Sequence, residues 1–243
     1  MDSLILPTAV DSPPSLIDSR IQIFRHQPPQ LIWTYSTLDA HQRALAHQVR
    51  QGGPGALILS ELAPVITLGR RADDTCFTAP QHALLEQGIE IHPSDRGGLA
   101  TYHGPGQWVL FPVLRLEDLT GDARGVSQLV HRLLQIALRV GQFYLPTPQR
   151  REGIYQGVWG PQGKFASVGV HIQEGVVLHG LAINGFQTEQ SFQGIRPCGL
   201  DAPVSYLLDQ PDEAQFIQLG QRILKVAQEV LFYSHSSRSG SAG

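Results

Sequence analysis

The chain has 243 residues, of which 42% are hydrophobic and 16% charged, and its formal net charge is −3. That size and balance suit one globular domain mixing helices and strands around a real core, and the slight acidity excludes a general nucleic-acid binder. Two cysteines make no disulfide framework, and neither a membrane span nor a secretory leader is legible, so a reducing cytoplasm is the expected home.

Residues 1–30 carry Pro7, Pro13, Pro14, Pro28 and Pro29 with little periodicity, and read as an extended, partly disordered lead-in. Ser36-Thr37-Leu38-Asp39 resembles a helix start and Gly52-Gly53 a stop, predicting a helix over 38–51. Two strand-like runs follow at 56–61 and 65–69, then a short helix over 78–87 ended by Gly88, and a strand at 89–91. Residues 107–114 read as another strand. The clearest helix spans 126–140, where Leu129, Leu133, Leu134, Ala137 and Val140 recur at three- and four-residue steps. His131 falls on its polar side. A β hairpin follows, 164–172 and 176–184 about a turn at 173–175, and a helical pattern returns over 212–232. The polar tail 234–243 reads as frayed. Helices and strands interleave without a regular βαβ rhythm, so the expected fold is α+β: a mostly antiparallel mixed sheet flanked by helices. The domain expectation is a catalytic unit over 31–233 between these two termini.

The densest chemistry lies in Arg96-Gly97-Gly98-Leu99-Ala100-Thr101-Tyr102-His103-Gly104-Pro105-Gly106-Gln107. Glycine lets a backbone approach a ligand closely, so this segment suggests a pocket wall in which peptide N–H groups bind. Alone, it would read better as a glycine-rich turn between two strands. Cys198, between Pro197 and Gly199, sits where regular structure is broken and a sulfur can be presented. Cys76 follows Asp73-Asp74, whose negative charge would raise a thiol pKa, which makes it the poorer nucleophile. With a pKa near 8.5 a thiol is only about 3% ionised at pH 7, and lowering it to about 7 gains roughly fifteen-fold in thiolate. Lys164 is the candidate helper, although a lysine at a strand start is ordinarily solvated. No paired metal-ligand spacing and no phosphate-cradling Gly-x-x-x-x-Gly-Lys-Ser/Thr loop occurs, so no cofactor or metal is expected. Arg70-Arg71 and Arg150-Arg151 are basic doublets that would suit an acidic partner.

Together these pieces resemble the octanoyltransferase family. Arg96 to Gln107 resembles its Arg-Gly-Gly-x-x-Thr-Tyr-His-Gly-Pro-Gly-Gln stretch, and Lys164 to Gly169 its lysine-bearing strand. His179 to Asn184 matches its His-Gly-Leu-Ala-x-Asn run, Pro197 to Gly199 its Pro-Cys-Gly, and Pro64 to Arg70 an early strand. The likeness covers about residues 31–232. Phe165 and Gly185 depart from it, and are expected to reshape the acyl pocket. The resemblance implies a fold like the catalytic domain of biotin and lipoate protein ligases. It implies that Cys198 takes an octanoyl or lipoyl group from acyl carrier protein as a thioester. The acceptor would be a lysine of lipoyl domains of 2-oxoacid dehydrogenases or of the glycine-cleavage carrier protein. Lys164 would depress the thiol pKa, as cation or as neutral base. Arg96, Gly97, Gly98, Leu99, Ala100, Thr101, Tyr102 and His103 would bind substrate, with Ser167, Val168 and Gly169 and with Gly180, Leu181 and Ala182. No nucleic-acid or membrane partner is expected. His103 and His179 are read as structural and Arg196 as a loop anchor. Two rivals stand beside this reading: an ATP-dependent ligase on the same scaffold, and a non-catalytic binder of acylated carriers.

Overall fold

The computed structural model describes residues 21–25, 33–199 and 202–233. The expected frayed tail 234–243 and most of the proline-rich lead-in lie outside them. In chain order the elements are β1 (Ile21–Arg25), α1 (Tyr35–Arg50), β2 (Gly55–Ser60), β3 (Val65–Leu68), α2 (Gln81–Glu86), β4 (Glu90–Pro93) and β5 (Ala100–His103). They continue with β6 (Gln107–Val113), α3 (Leu116–Thr120), α4 (Val126–Gly141), β7 (Gln149–Arg151), β8 (Gly157–Gly160), β9 (Gly163–Gln173), β10 (Val176–Asn184) and α5 (Glu213–Gln228).

The main sheet has seven strands in the order β1-β2-β6-β10-β9-β8-β7, and only β1 and β2 run parallel. A second sheet of three strands is ordered β4-β3-β5, parallel between β3 and β4 and antiparallel between β3 and β5. This is the mixed, mostly antiparallel α+β architecture the sequence predicts. β1 arises inside the lead-in, so part of that proline-rich segment completes the edge of the main sheet.

Strand alternation sorts the core into two faces. Leu57 and Leu59 of β2 and Trp108 and Leu110 of β6 join Leu133, Ala137 and Leu219 of α4 and α5. Their neighbours Ala56, Ile58, Val109 and Phe111 point the other way, against Leu38, Leu45 and Val49 of α1. A smaller cluster of Ile66, Leu84, Ala100 and Tyr102 lies beneath the three-stranded sheet. α1 begins three residues before its expected start because the Thr34 hydroxyl caps the helix, accepting from the Thr37 N–H. α5 opens on a full capping box between Asp212 and Gln215.

Phe165 and Gly185 do not shape the pocket. The Phe165 ring is buried and packs on Gly141 of α4, where an added Cβ would come within 2.5 Å of it. A Cβ at Gly185 would lie 2.6 Å from the Phe216 ring. Both departures are absorbed by core neighbours instead: a large ring against a glycine, and a glycine against a large ring.

Candidate active site

A cavity of about 340 Å³ opens between the two sheets, large enough for a small acyl chain. Its floor comes from the hairpin β9–β10, where Gly169 pairs with Gly180 and Ser167 with Ala182. Small residues at adjoining cross-strand positions leave room that longer side chains would fill. Val168 and Leu181 add apolar wall, and Arg96, Gly97, Gly98, Leu99, Thr101 and His103 form the opposite side. Ala100 and Tyr102 are the alternate positions of β5 and bury themselves in the small-sheet core. Gln156, Gly153 and the exposed Ile154 reach the rim, as does Arg71.

Arg96 serves the wall more than the void. Its guanidinium donates to Thr67 O at 2.7 Å, to Thr67 Oγ1 and to Gly97 O. Gly69 and Gly169 make room for it, since a Cβ at either would press on the Arg96 side chain. The Gly97 N–H donates to Val170 O at 3.1 Å, tying the glycine-rich segment across to β9. A buried carboxylate, Glu61, accepts from the Gly106 N–H at 2.9 Å and fixes the Gly-Pro-Gly turn. Burial pushes its pKa up.

Lys164 is 7% exposed and lines the cavity. Gly157 (φ +150°) of the neighbouring strand lets it in, because a Cβ there would stand 2.3 Å from Lys164 Cε. The lysine's backbone is also where the chain after Cys198 is anchored. Lys164 N–H donates to Pro203 O and Ser205 N–H donates to Lys164 O, each at 2.9 Å. On the other side of Cys198, Ile195 bridges to Phe77, and the Arg196 N–H donates to Cys76 O at 2.8 Å. Arg196 Nη1 donates to Thr75 O, an anchoring role. The Pro197–Gly199 turn packs on β5, and a Cβ on Gly199 (φ +69°) would lie 2.5 Å from Leu99 Cδ1. The structure describes Cys198 through its backbone in that turn. Cys76 is buried among Ile66, Leu84 and Tyr102, and behaves as a small hydrophobe.

Two buried histidines face the cavity. His179 has a positive φ of +57° and is held there by three contacts with two residues: its N–H donates to Gln42 Oε1 at 2.8 Å, Nδ1 lies 3.4 Å from Gln42 Nε2, and Nε2 meets Asp95 Oδ1 at 2.6 Å. Asp95 also takes Arg43 at 2.9 Å. The hydrogen bond from His179, with Arg43 beside it, holds the Asp95 carboxyl well below the usual carboxylate range. His103 Nδ1 lies 2.6 Å from Gln107 Oε1, and desolvation lowers its pKa to about 4. The Asp95 cluster has no local signature in the sequence, because its members are far apart along the chain. The second doublet is engaged locally: Arg150 pairs with Glu152 and His131, and Arg151 lies 4.5 Å over the Trp159 ring.

The family description "Lipoyl protein ligase A/B catalytic domain" matches residues 35–228. An octanoyltransferase of Koribacter versatilis is 39% identical over 177 residues, covering 70% of this chain and 69% of that protein. An octanoyltransferase of Alkaliphilus metalliredigens is 32% identical over 204 residues, covering 79% and 91% respectively. Among solved structures, protein Ta0514 of T. acidophilum with bound lipoic acid superposes with a TM-score of 0.67 at 12% identity, over 86% of this chain and 85% of that one. That last likeness is one of fold.

Proposed function

The chain belongs to the lipoyl protein ligase A/B catalytic-domain family, among its octanoyltransferases, and on that premise we propose that it moves an octanoyl group from acyl carrier protein to a lipoyl-domain lysine through a Cys198 thioester. Octanoyl transfer in protein lipoylation is the activity its relatives carry; the donor and the covalent route belong to this proposal.

The observation that supports the route most directly is the seating of the Pro197–Gly199 turn. Its following segment is hydrogen-bonded to Lys164, and its glycine abuts Leu99 of the cavity wall. Lys164 would activate the Cys198 thiol either as a cation, since opposite charge stabilises the thiolate, or as a neutral base that takes the thiol proton. The Cys198 sulfur attacks the thioester carbonyl, the carrier's thiol departs, and the octanoyl chain lies over the Gly169–Gly180 floor. Burying each CH₂ gains about 0.8 kcal/mol, so chain binding holds the intermediate while the carriers exchange. The lysine ε-amine then attacks, an amide forms and the Cys198 thiolate leaves. Thioester for thioester and then thioester for amide run without a nucleotide, and splitting the transfer spares two large carriers from meeting at once.

Intact-protein mass spectrometry after mixing with octanoyl-acyl carrier protein tests this. The expected result is one added octanoyl group that Cys198→Ala abolishes. An adduct that persists in Cys198→Ala overturns it, and efficient transfer from free octanoate and ATP without acyl carrier protein points to ligase chemistry instead.

A further inference from the structure

The hydrogen bonds behind His103 fix which of its ring nitrogens carries the proton. Gln107 Nε2 donates to Tyr102 O at 3.2 Å and to Asn184 Oδ1 at 2.9 Å. Asn184 is itself oriented, since its Nδ2 donates to Ser205 O at 3.1 Å and reaches Lys164 O at 3.5 Å. The Gln107 amide therefore turns its oxygen toward His103 Nδ1, 2.6 Å away. An amide oxygen only accepts, so Nδ1 must hold the hydrogen. In the neutral ring Nε2 is then a bare acceptor. His103 lines the cavity with Nδ1 turned back into the protein, so Nε2 is the nitrogen left to meet a ligand. Among the described residues Nε2 has no hydrogen-bond partner.

A bare acceptor in that wall suits only a ligand with a hydrogen to give. The thioester carbonyl has none; the attacking amine does. Resting on the thioester reading above, we propose that His103 Nε2 accepts an N–H of the incoming lysine ε-amine during transfer, with Gln107 and Asn184 as positioning residues that lock this tautomer. As the amine nitrogen bonds to the acyl carbon, the C–S bond breaks and Cys198 sulfur keeps its electron pair. The proton shed by nitrogen crosses to Nε2 and ends on the departing sulfur, the stronger base of the two. Burial, with the Arg96 and His179 side chains nearby, pushes the ring pKa down to about 4, which keeps Nε2 unprotonated across the working pH range. His103 is thereby a relay for the second half-reaction rather than a store of charge.

The test separates the two halves of the reaction. Single-turnover mass spectrometry gives the rate at which acyl carrier protein loads Cys198 and the rate at which a lipoyl domain unloads it. In His103→Phe the ratio of unloading to loading is expected to fall about 100-fold, and in His103→Gln, which keeps a distal acceptor, most of that ratio returns. Side-chain ¹⁵N spectra of histidine-labelled wild type provide a second measurement that needs no variant to fold. They should show Nδ1–H with Nε2 unprotonated from pH 7 to 5, and the Nε2 resonance should move when a lipoyl domain is added to the acyl-enzyme. An unchanged ratio in His103→Phe, or an Nε2–H tautomer in wild type, overturns the proposal while leaving the thioester route standing. A wild type that never loads Cys198 sinks both.

Discussion

Asp95 Oδ1 and His179 Nε2 meet at 2.6 Å, and this contact helps hold a β10 residue at φ +57° directly before the glycine of the cavity floor. A non-glycine residue in that region is strained unless its surroundings insist on it. The structure supplies that insistence through Gln42 of α1 and Asp95 of the loop before the glycine-rich wall.

Replacing Asp95 with Asn should therefore cost stability in a pH-dependent way. The carboxyl is more acidic folded than unfolded, so its contribution is complete above about pH 4 and fades as pH falls below that. At pH 7 Asp95→Asn should lose about 1–3 kcal/mol, lowering Tm by several degrees. Thermal melts from pH 7 to pH 2 should show the two curves converging in acid. A constant gap over that range would show that the lost stability does not come from the ionised carboxyl.

Gly157→Ala should act on chemistry through Lys164. The new Cβ would stand 2.3 Å from Lys164 Cε and 2.6 Å from Ala166 O, so the lysine must move. If Lys164 ionises Cys198, the alkylation pH profile of Cys198 should shift upward, and loading by octanoyl-acyl carrier protein at pH 7 should slow roughly ten-fold. Peptide mapping after iodoacetamide labelling keeps buried Cys76 from confusing the readout. An unmoved profile with the lysine displaced would remove Lys164 from thiol activation.

Gly185→Val should be tolerated poorly, and for reasons of packing alone. Its side chain would enter the space of the Phe216 ring, which stacks on Trp108 at 4.8 Å. Overpacking of this kind costs about 1–3 kcal/mol. Adding Phe216→Leu should recover part of it, giving a coupling of about 0.5–3 kcal/mol in a double-mutant cycle from chemical denaturation. Additive losses would mean that the two positions do not share this space.

Glu61→Gln makes the opposite pH prediction to Asp95. The Glu61 carboxyl is harder to ionise folded than unfolded, so stability is greatest below about pH 4 and is lost as pH rises through the folded pKa. The amide still offers an oxygen to the Gly106 N–H without a buried charge. Relative to wild type, Glu61→Gln should gain stability on going from pH 4 to pH 8 by urea titration. A parallel dependence in both proteins would show that the carboxyl already ionises freely.

What the sequence made legible was local. The periodicity of Leu129, Leu133 and Ala137 located α4, and the hairpin 164–184 was readable from its alternating run and its Gly175 turn. Short elements escaped: α3 spans only Leu116–Thr120, β7 is the polar Gln149-Arg150-Arg151, and β8 is bounded by glycines at both ends. Each draws its stability from the sheet or helices around it rather than from its own pattern. The site divided in the same way. Arg96 to His103 was visible as a motif and Lys164 only through the family resemblance, while Gly157, Gln42, Asp95 and Glu61 were not visible at all. Their roles depend on partners such as His179, 84 positions from Asp95, and no local rule connects them.

The Pro197–Gly199 turn is fastened at one end to the three-stranded sheet's neighbourhood through Ile195 and Phe77, and at the other to the seven-stranded sheet through Val204 and Lys164. A nascent or half-folded polypeptide with only one sheet assembled would leave Cys198 tethered on a single side. On the thioester reading, acylation would need both sheets in place, and a partly made chain would not capture fatty thioesters it has no means to pass on.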